Sequence, residues 1–401
     1  MTKIIRMSIT TGIILLGWMG GWKLYTYTFD TQAPELVISG IEHEKHYSGD
    51  IPCLISISDA AKVAQISIFI DGKPLITNYR INRCKAEYPC TIPTNPLPYG
   101  PHELRIEAID GSYRKNKTVE SLNFIVDNVP LQAAFVRSDS DLKVFQGRTV
   151  HLMFQVSKPI KSATAKALGR EFLCVPEDTG SLIYEAFFPI NCEDRPNEYP
   201  LTIEINDYVD NNVTLETKLQ VILFPFTQQN LVLKTEDIEK ERLAGADEKE
   251  LEDACATLVA NSPRKKLWRG AFYAPTDVRR ISTPFGTIRI TQHRGKYIHR
   301  AVDLVSTPKH VVWAPQEGIV VFKGRFAHSG NTIVVDHGAG VFTLYFHLET
   351  FGPYEVGDSV HQGNPLGTVG KTGFANGYHL HWELRVNNIA VDPLQWTQAD
   401  F

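Results

Sequence analysis

The sequence has few cysteines, little net charge and only one long apolar run. Six cysteines in 401 residues are too few for a disulfide-built scaffold, although they allow one or two bridges. The chain has a formal net charge of −4, whereas nucleic-acid-binding proteins are typically strongly positive, so no nucleic-acid partner is predicted. An apolar fraction of 43% in a chain of this length is enough for two to four packed domains.

The apolar run lies at the N-terminus, from Met7 to Trp22, and Lys3 and Arg6 precede it. It is slightly shorter than the roughly 20 residues that span a bilayer core, but the residues after it extend it. Neither a small-residue cleavage site nor a cysteine for lipidation follows, which favours an uncleaved signal anchor over a cleaved signal peptide. Because basic flanks stay in the cytoplasm, residues 1–31 are predicted to be a cytoplasmic tip and a single-pass anchor in the cytoplasmic membrane. The bulk of the chain is then extracytoplasmic, on the periplasmic or cell-wall side.

Residues 33–225 contain an internal repeat with a period of 97 residues. The pattern L-x-I-E-x-x-D occurs at Leu104–Asp110 and again at Leu201–Asp207. Short runs of alternating apolar and polar residues, separated by turn residues, are typical of half-buried antiparallel strands. We therefore predict two β-sandwiches of about 100 residues each, at 32–128 and 129–226, which resemble immunoglobulin-like modules. Their simplest role is that of a spacer.

Two pairs of cysteines are candidates for disulfide bonds. Cys174 and Cys192 flank a predicted hairpin in the second sandwich, and Cys84 and Cys90 bracket a short loop in the first. The first pair is favoured. The remaining two cysteines are predicted to be buried free thiols: Cys53 and Cys255.

Residues 227–263 are predicted to form a helical linker. Thr235 can cap a helix, and the following segment is rich in Glu, Lys, Ala and Leu. Gly245 is expected to separate two short helices. One apolar helical face is formed by four residues: Leu251, Cys255, Leu258 and Val259. The linker is expected to pack on a domain surface, and the alternative is a regulatory segment that covers a cleft.

Histidines are concentrated near the C-terminus, where nine of the thirteen follow residue 290. Two short motifs stand out, H-R-A-V-D at His299–Asp303 and H-L-H-W-E at His379–Glu383. His379 and His381 alternate in a predicted strand, so both imidazoles project from the same face. His347 adds another histidine in the apolar strand L-Y-F-H-L. Two imidazoles, a carboxylate and a further histidine suit a zinc site with one open coordination position.

The absence of an H-E-x-x-H motif excludes the zinc peptidases that carry two metal ligands on one helix. Residues 264–401 are instead predicted to be rich in short β-strands separated by glycine-containing turns, with the ligands at strand ends or turns. The other histidines of this segment are predicted to lie on the surface or in loops: His293, His310, His328, His337 and His361.

The segment from about Trp268 to Trp396 resembles the lysostaphin-type (LytM-like) zinc peptidases, metallopeptidase family twenty-three. It has three family motifs in the family's order, joined by the connecting sequences S-T-P-F-G, A-P-Q-E-G-I-V, G-N-T-I-V-V-D-H-G and V-G-K-T-G. Ala301 replaces a usual Gly, and Tyr378 stands where the family often has Pro. Neither departure removes a ligand.

The resemblance implies one zinc ion per chain, bound by His299, Asp303 and His381, and it assigns His347 and His379 as the catalytic histidines. The implied activity is that of a membrane-anchored zinc endopeptidase that hydrolyses peptide cross-links of bacterial peptidoglycan during cell-wall growth or remodelling. The implied partners are peptidoglycan peptide, the membrane and a regulatory envelope protein.

Two alternatives stay open. One is a catalytically silent scaffold that binds the wall or activates another hydrolase, and the other is a secreted peptidase directed at foreign walls or at proteins. In each case the predicted fold class is mainly β, with two immunoglobulin-like sandwiches, a short helical linker and a C-terminal peptidase domain at 264–401.

Overall fold

The computed structural model describes residues 21, 24–25, 27–136, 142–232, 235–292 and 294–398. These residues are mainly β-strands, which confirms the predicted fold class. The chain divides into two compact units. The first consists of residues 1–130 with 208–210, and the second of residues 131–207 with 211–401.

The predicted membrane anchor requires a correction. In the part of the chain that the structure describes, no helix is both long enough and apolar enough to cross a membrane. The run from Met7 to Trp22, on which the prediction depends, lies outside the described residues except for Gly21. The predicted single-pass membrane localisation is therefore not upheld.

The first unit is built on one sheet. Its strands are β1 Glu35–Ser39, β2 His46–Tyr47, β3 Ile51–Ile70, β4 Lys73–Ile92, β5 Gly100–Asp110 and β6 Lys117–Val126. The order is β1-β3-β5-β6-β2, with β4 paired to β3. Register shifts interrupt the β3–β4 pairing between Ser58 and Phe69, and bulges of this kind bend a strand. Ile55 and Ile66, on either side of the first shift, lie in the same apolar cluster, so the sheet bends around one core.

The second sandwich has two sheets. Its strands are β7 Ala133–Phe135, β8 Leu142–Phe145, β9 Thr149–Val156, β10 Ser162–Ala167, β11 Arg170–Leu173, β12 Val175–Pro176, β13 Ile183–Pro189, β14 Asn197–Asn206 and β15 Asn212–Ile222. The sheets have the orders β11-β10-β14-β15-β8 and β12-β13-β9-β7. Ile203 of the first sheet and Phe154 of the second are buried in one core, as expected for two packed layers.

The repeated L-x-I-E-x-x-D pattern has a structural role. Its final residues, Asp110 and Asp207, are both buried. Asp110 accepts hydrogen bonds from Ser112 and Asn116, and Asp207 accepts two from Asn211. Each carboxylate therefore stabilises the turn that follows it, and the buried charge of Asp207 is also paired with Lys158 Nζ at 2.7 Å.

Neither predicted disulfide is formed. All six cysteines are free thiols, and Cys174 and Cys192 lie in different apolar clusters. Cys53 on β3 is directly opposite Cys90 on β4, and their Sγ atoms are 3.1 Å apart. The expected pairs Cys84–Cys90 and Cys174–Cys192 are wrong because sheet register, and not closeness in sequence, decides which thiols meet.

The predicted linker contains a single helix, α1, at Thr235–Ala260. Leu251 and Cys255 are buried and pack against strands of the C-terminal domain in one apolar cluster with Val334 and Phe346. The predicted break into two helices is wrong. One glycine costs a helix only about 1 kcal/mol, which is small beside the burial of an apolar face.

The remaining strands build the C-terminal domain. They are β16 Gln228–Leu231, β17 Arg280–Thr283, β18 Ile288–Thr291, β19 Gly295–Ile298, β20 Val302–Val305, β21 Val311–Trp313, β22 Gly318–Phe326, β23 Gly330–Asp336, β24 Val341–Leu348, β25 Ser359–Val360, β26 Pro365–Thr368, β27 Leu380–Val386 and β28 Ile389–Val391, followed by helix α2 at Pro393–Trp396. The main sheet has the order β17-β20-β27-β24-β23-β22-β25, with β28 paired to β27. Small sheets β16-β18-β19 and β21-β26 flank it. Residues from three separate segments therefore meet where β20, β27 and β24 lie side by side.

The second sandwich packs directly on this domain. The Phe187 ring lies 5.3 Å from the Trp268 ring and 5.8 Å from the Trp396 ring. The indole Nε1 of Trp396 donates a hydrogen bond of 3.1 Å to Thr149 Oγ1. These buried contacts fix the second sandwich to the C-terminal domain, and its role as a spacer stays a prediction.

Candidate metal centre

Sheet register brings the three predicted ligands together. Asp303 on β20 is paired directly with His381 on β27, so both side chains lie on one face of the main sheet. His299 lies just before β20 and reaches the same point. His299 Nε2 is 3.1 Å from Asp303 Oδ1 and 3.2 Å from His381 Nδ1, and His381 Nδ1 is 3.1 Å from Asp303 Oδ1. Two motifs that are about 80 residues apart in sequence thus form one triangle of donor atoms.

This triangle fits a zinc ion. Tetrahedral zinc with bonds of about 2.0–2.1 Å holds its donor atoms about 3.3–3.4 Å apart. Burial lowers the pKa of His299 to about 4, so its imidazole is neutral near pH 7. Burial would raise the pKa of Asp303, but hydrogen bonds with His299 and His381 hold it well below its usual value. His299 and Asp303 are therefore in the protonation states that a metal cation requires.

The surroundings of His381 favour positive charge at this point. Burial opposes a charge on the imidazole, but hydrogen bonds with Asp303 and Glu383 outweigh burial and raise the pKa of His381 to about 9. A divalent cation between the three donors would supply that positive charge in place of the proton on Nδ1.

His347 ends up beside the donors because of an unusual backbone conformation. Its φ of 62° is left-handed, which is uncommon for a residue other than glycine and costs on the order of 1–3 kcal/mol. The β23–β24 register shifts between Asn331 and Ile333, opposite the end of β24. A bulge next to a site re-aims a side chain, and here the His347 ring lies 4.9 Å from the His379 ring.

The loop after β26 fixes the tautomer of His347. Nδ1 donates a hydrogen bond of 2.9 Å to the carbonyl oxygen of Thr372, which leaves the Nε2 lone pair free. Gly370 allows this loop to approach so closely, since a Cβ at that position would lie 2.5 Å from the His347 carbonyl oxygen. Burial, with His381 and His379 adding to it, holds the pKa of His347 well below its usual value, so the imidazole is neutral.

His379 lies beside the three donors without joining them. Its Nε2 is 3.7 Å from Asp303 Oδ1, which is too far for a hydrogen bond. Its Nδ1 donates a hydrogen bond of 2.9 Å to the carbonyl oxygen of Gly377, so Nε2 is again the free nitrogen. The two predicted catalytic histidines therefore have the same arrangement, in which Nδ1 is held by a carbonyl group and Nε2 is available.

Sequence reasoning missed charged residues that contact the donors directly, as Glu383 and Arg289 do, or through a neighbour, as Arg385 does. Glu383 and Arg385 continue the alternation of His379 and His381 along β27, and this period of two was a usable signal. Arg289 gave no such signal. Its Nη2 donates a hydrogen bond of 3.1 Å to the outer carboxylate oxygen of Asp303, because β18 lies next to this part of the sheet.

The other histidines have varied surroundings. His361 is exposed, as predicted, while His310 and His328 are half-buried. His293 lies outside the described residues. His337 lies in the connection between β23 and β24, in agreement with the predicted loop position, but it is not on the surface. This residue is fully buried, and its nitrogens lie 2.6 Å from the Glu317 carbonyl oxygen and 2.7 Å from Thr343 Oγ1.

The donors and both catalytic candidates line one cleft of about 1240 Å³. Its walls come from several elements of the second unit, including the second sandwich at Glu193, the β18–β19 hairpin at Tyr297 and helix α1 at Glu252. Its lining includes both aromatic and charged side chains.

Known proteins resemble the C-terminal part of the chain. The model for Peptidase family M23 matches residues 297–393. DD-carboxypeptidase/endopeptidase Mpg of Neisseria meningitidis serogroup B is 37% identical over 134 residues, which cover 31% of this chain and 30% of that protein. Peptidoglycan DD-endopeptidase ShyC of Vibrio cholerae serotype O1 is 34% identical over 121 residues, 30% of this chain and 28% of that protein.

Among solved structures, the catalytic domain of lysostaphin from Staphylococcus simulans is 25% identical and matches with a TM-score of 0.25. The match covers 36% of this chain and 98% of the lysostaphin chain. The chain spans about 30% of the length of the curated relatives. Together with the motif order, the family match confirms the resemblance found in the sequence. Residues 297–393 form a Peptidase family M23 domain.

Proposed function

We propose that the chain is a zinc metalloendopeptidase that hydrolyses peptide cross-links of bacterial peptidoglycan. The observation that carries the proposal is the triangle of two imidazole nitrogens and one carboxylate oxygen next to two histidines with free Nε2 atoms. The names of the M23 relatives, DD-endopeptidase and DD-carboxypeptidase/endopeptidase, support this substrate.

His299, Asp303 and His381 are the residues that would hold the zinc ion. When bound, zinc lowers the pKa of a water molecule to about 7 and polarises a peptide carbonyl group. His299 is kept neutral by burial, and Asp303 is kept ionised by its hydrogen bonds. Arg289 holds the outer oxygen of Asp303, so the inner oxygen remains directed at the two imidazoles.

His347 and His379 are the residues that would handle protons. Each has Nδ1 occupied by a backbone carbonyl, so each exchanges protons at Nε2 only. One accepts the proton of the attacking water at Nε2 and passes it to the leaving amine, and the other, when it is protonated at Nε2, donates a hydrogen bond to the tetrahedral oxyanion. The two rings lie 4.9 Å apart, so both imidazoles can reach one reacting group.

The test uses the full chain, defined cross-linked muropeptides and two readouts. Bound zinc is measured by atomic spectroscopy, and cleavage products are identified by mass spectrometry. We expect one zinc per chain and cleavage of the cross-linking peptide bond. The His381→Ala variant should lose most of the metal and all of the cleavage.

Two outcomes would contradict the proposal. Full zinc occupancy in His381→Ala would mean that the ligand assignment is wrong. A wild-type chain that holds zinc and cleaves no cross-linked muropeptide would instead favour the scaffold function, in which the domain binds the wall without hydrolysing it.

A further inference from the structure

The structure assigns a positioning role to Glu252, a residue of helix α1 that lies outside the M23 match at 297–393. We propose that Glu252 orients the metal-binding face of His381 through Arg385 and Glu383, so that the linker helix is part of the metal centre. The inference rests on the proposed zinc function and extends it to a residue outside the matched domain.

The first link is the contact between His381 and Glu383. His381 Nε2 is 3.1 Å from Glu383 Oε1, while Nδ1 faces the other two donors. An imidazole can present a lone pair on Nδ1 only if its hydrogen is on Nε2, and a carboxylate at Nε2 favours that tautomer.

The second link is Arg385, whose side chain is only 5% exposed. Its Nε donates a hydrogen bond of 2.7 Å to Glu383 Oε2, the oxygen that does not face His381. Its Nη1 and Nη2 donate to the two carboxylate oxygens of Glu252 at 2.8 and 2.9 Å. This two-point contact is the strongest geometry for an arginine–carboxylate pair.

Charge pairing explains why the carboxylate of Glu252 affects the position of Glu383. A buried guanidinium requires a nearby anion, and without Glu252 the only carboxylate bonded to Arg385 among the described residues is Glu383. Arg385 would then draw Glu383 towards itself and compete with His381 for it. With Glu252 in place, each carboxylate has its own side of the guanidinium, and one oxygen of Glu383 remains on His381.

Apolar packing holds Glu252 at the required position. Its neighbours Leu251 and Cys255 are buried in the cluster that contains Phe346. The Phe346 ring stacks on the His381 imidazole with 4.8 Å between centroids and 6° between planes. Helix α1 therefore reaches His381 by an ionic route and by a packing route, and both constrain the plane of the imidazole.

The experiment measures zinc affinity of the full chain by competition with a chromophoric chelator. Glu252→Gln keeps the size of the side chain and removes its charge. We expect the zinc Kd to rise on the order of tenfold, the lower end of the range for groups that support a metal-ligating histidine. The matched control is Glu250→Gln, because Glu250 is exposed and lies about 200° away around the same helix. It should bind zinc like wild type.

A double variant separates positioning from general destabilisation. If Glu252 acts through Glu383, the Glu252→Gln change should not weaken zinc binding further in a Glu383→Gln background. Glu252→Asp, which keeps the charge, should recover part of the lost affinity. A lower melting temperature of the metal-free Glu252→Gln variant with an unchanged zinc Kd would show a purely structural role and overturn the inference.

The proposed function and the inference fail in different ways. If the wild-type chain binds no zinc, the proposed function is wrong, and the inference is wrong with it. A wild-type chain that binds zinc no more tightly than Glu252→Gln would overturn the inference alone.

Discussion

Strands β14 and β27 both alternate apolar and polar residues, but their polar faces have different surroundings. On β14 the apolar face, which includes Ile203, is buried, while Glu204 on the other face is exposed to solvent. On β27 the apolar face is also buried, but Glu383 and Arg385 on the polar face are each only 5% exposed. The same sequence pattern therefore belongs to a solvated face in one domain and to a covered, charged face in the other.

The difference follows from what packs on each sheet. Glu204 pairs across the sheet surface with Lys166 at 2.7 Å, and both side chains remain well hydrated. The polar face of β27 is covered by helix α1 and Phe346, so its charges must find partners within the protein. A covered polar face has fixed hydrogen bonds and shifted pKa values, which are the properties that catalysis requires.

The largest expected effect comes from the histidines beside this face. Replacing His347 or His379 by Ala should lower the rate of cross-link cleavage by on the order of 10²- to 10⁴-fold while zinc remains bound, because a proton-transfer or oxyanion contact is lost. Muropeptide cleavage, zinc content and melting temperature are measured on each variant. Glu204→Gln on the solvated face of β14 is the control and should cleave like wild type.

If the folded fraction of His347→Ala or His379→Ala kept the specific activity of wild type, the histidines would be structural. The two polar faces would then differ only in burial, and not in function.

A second prediction compares core and surface positions. Leu344 on β24 is fully buried, so Leu344→Ala should lower the free energy of unfolding by about 2–5 kcal/mol. Gln220 on β15 is exposed, so Gln220→Ala should change it by no more than about 0.5 kcal/mol. Unfolding in urea is followed by tryptophan fluorescence, which reports on the C-terminal domain because that domain contains Trp268, Trp382 and Trp396. Equal unfolding midpoints for the two variants would contradict the packing described for β24.

The smallest predicted effect concerns pH and His337. Burial lowers its pKa to about 4 in the folded chain, against about 6.5 when unfolded. The unfolded state then binds more protons between these values, so stability falls as pH drops from about 6.5 to 4, by about 3 kcal/mol, and this loss is complete below pH 4. Urea unfolding of wild type and His337→Gln at several pH values tests this.

The difference in unfolding free energy between wild type and His337→Gln isolates the contribution of His337. The neighbouring carboxyl of Asp336 has a pKa raised by burial, so its proton stabilises the folded state as pH falls. That contribution is present in both proteins and cancels. A stability difference that does not change between pH 4 and 6.5 would mean that His337 is accessible to protons in the folded chain.

The sequence was most informative where a local pattern has one physical outcome. Alternation predicted strands, and the i, i+4 spacing of Leu251 and Cys255 predicted the buried face of helix α1. The motif order identified the family of the C-terminal domain. Predictions that needed long-range pairing were less successful, and the two expected disulfides failed because they were judged from closeness in sequence.

By itself, the sequence determined the face of each strand on which a side chain projects, and the family resemblance supplied the predicted ligand set. His381 and Asp303 lie in short β-segments, and alternation along a strand fixes the face on which each side chain projects. The register that pairs Asp303 with His381 then decided which of these side chains meet.

Only the tertiary structure decided how those donors are held. The left-handed backbone at His347 arises from a bulge, and the pairing of Arg385 with Glu252 requires a helix that begins 150 residues earlier in the chain. The burial of His337 likewise depends on the segments that pack around it. These features have no sequence pattern because they result from contacts between distant segments, whose relative positions are set by the packing of the whole unit.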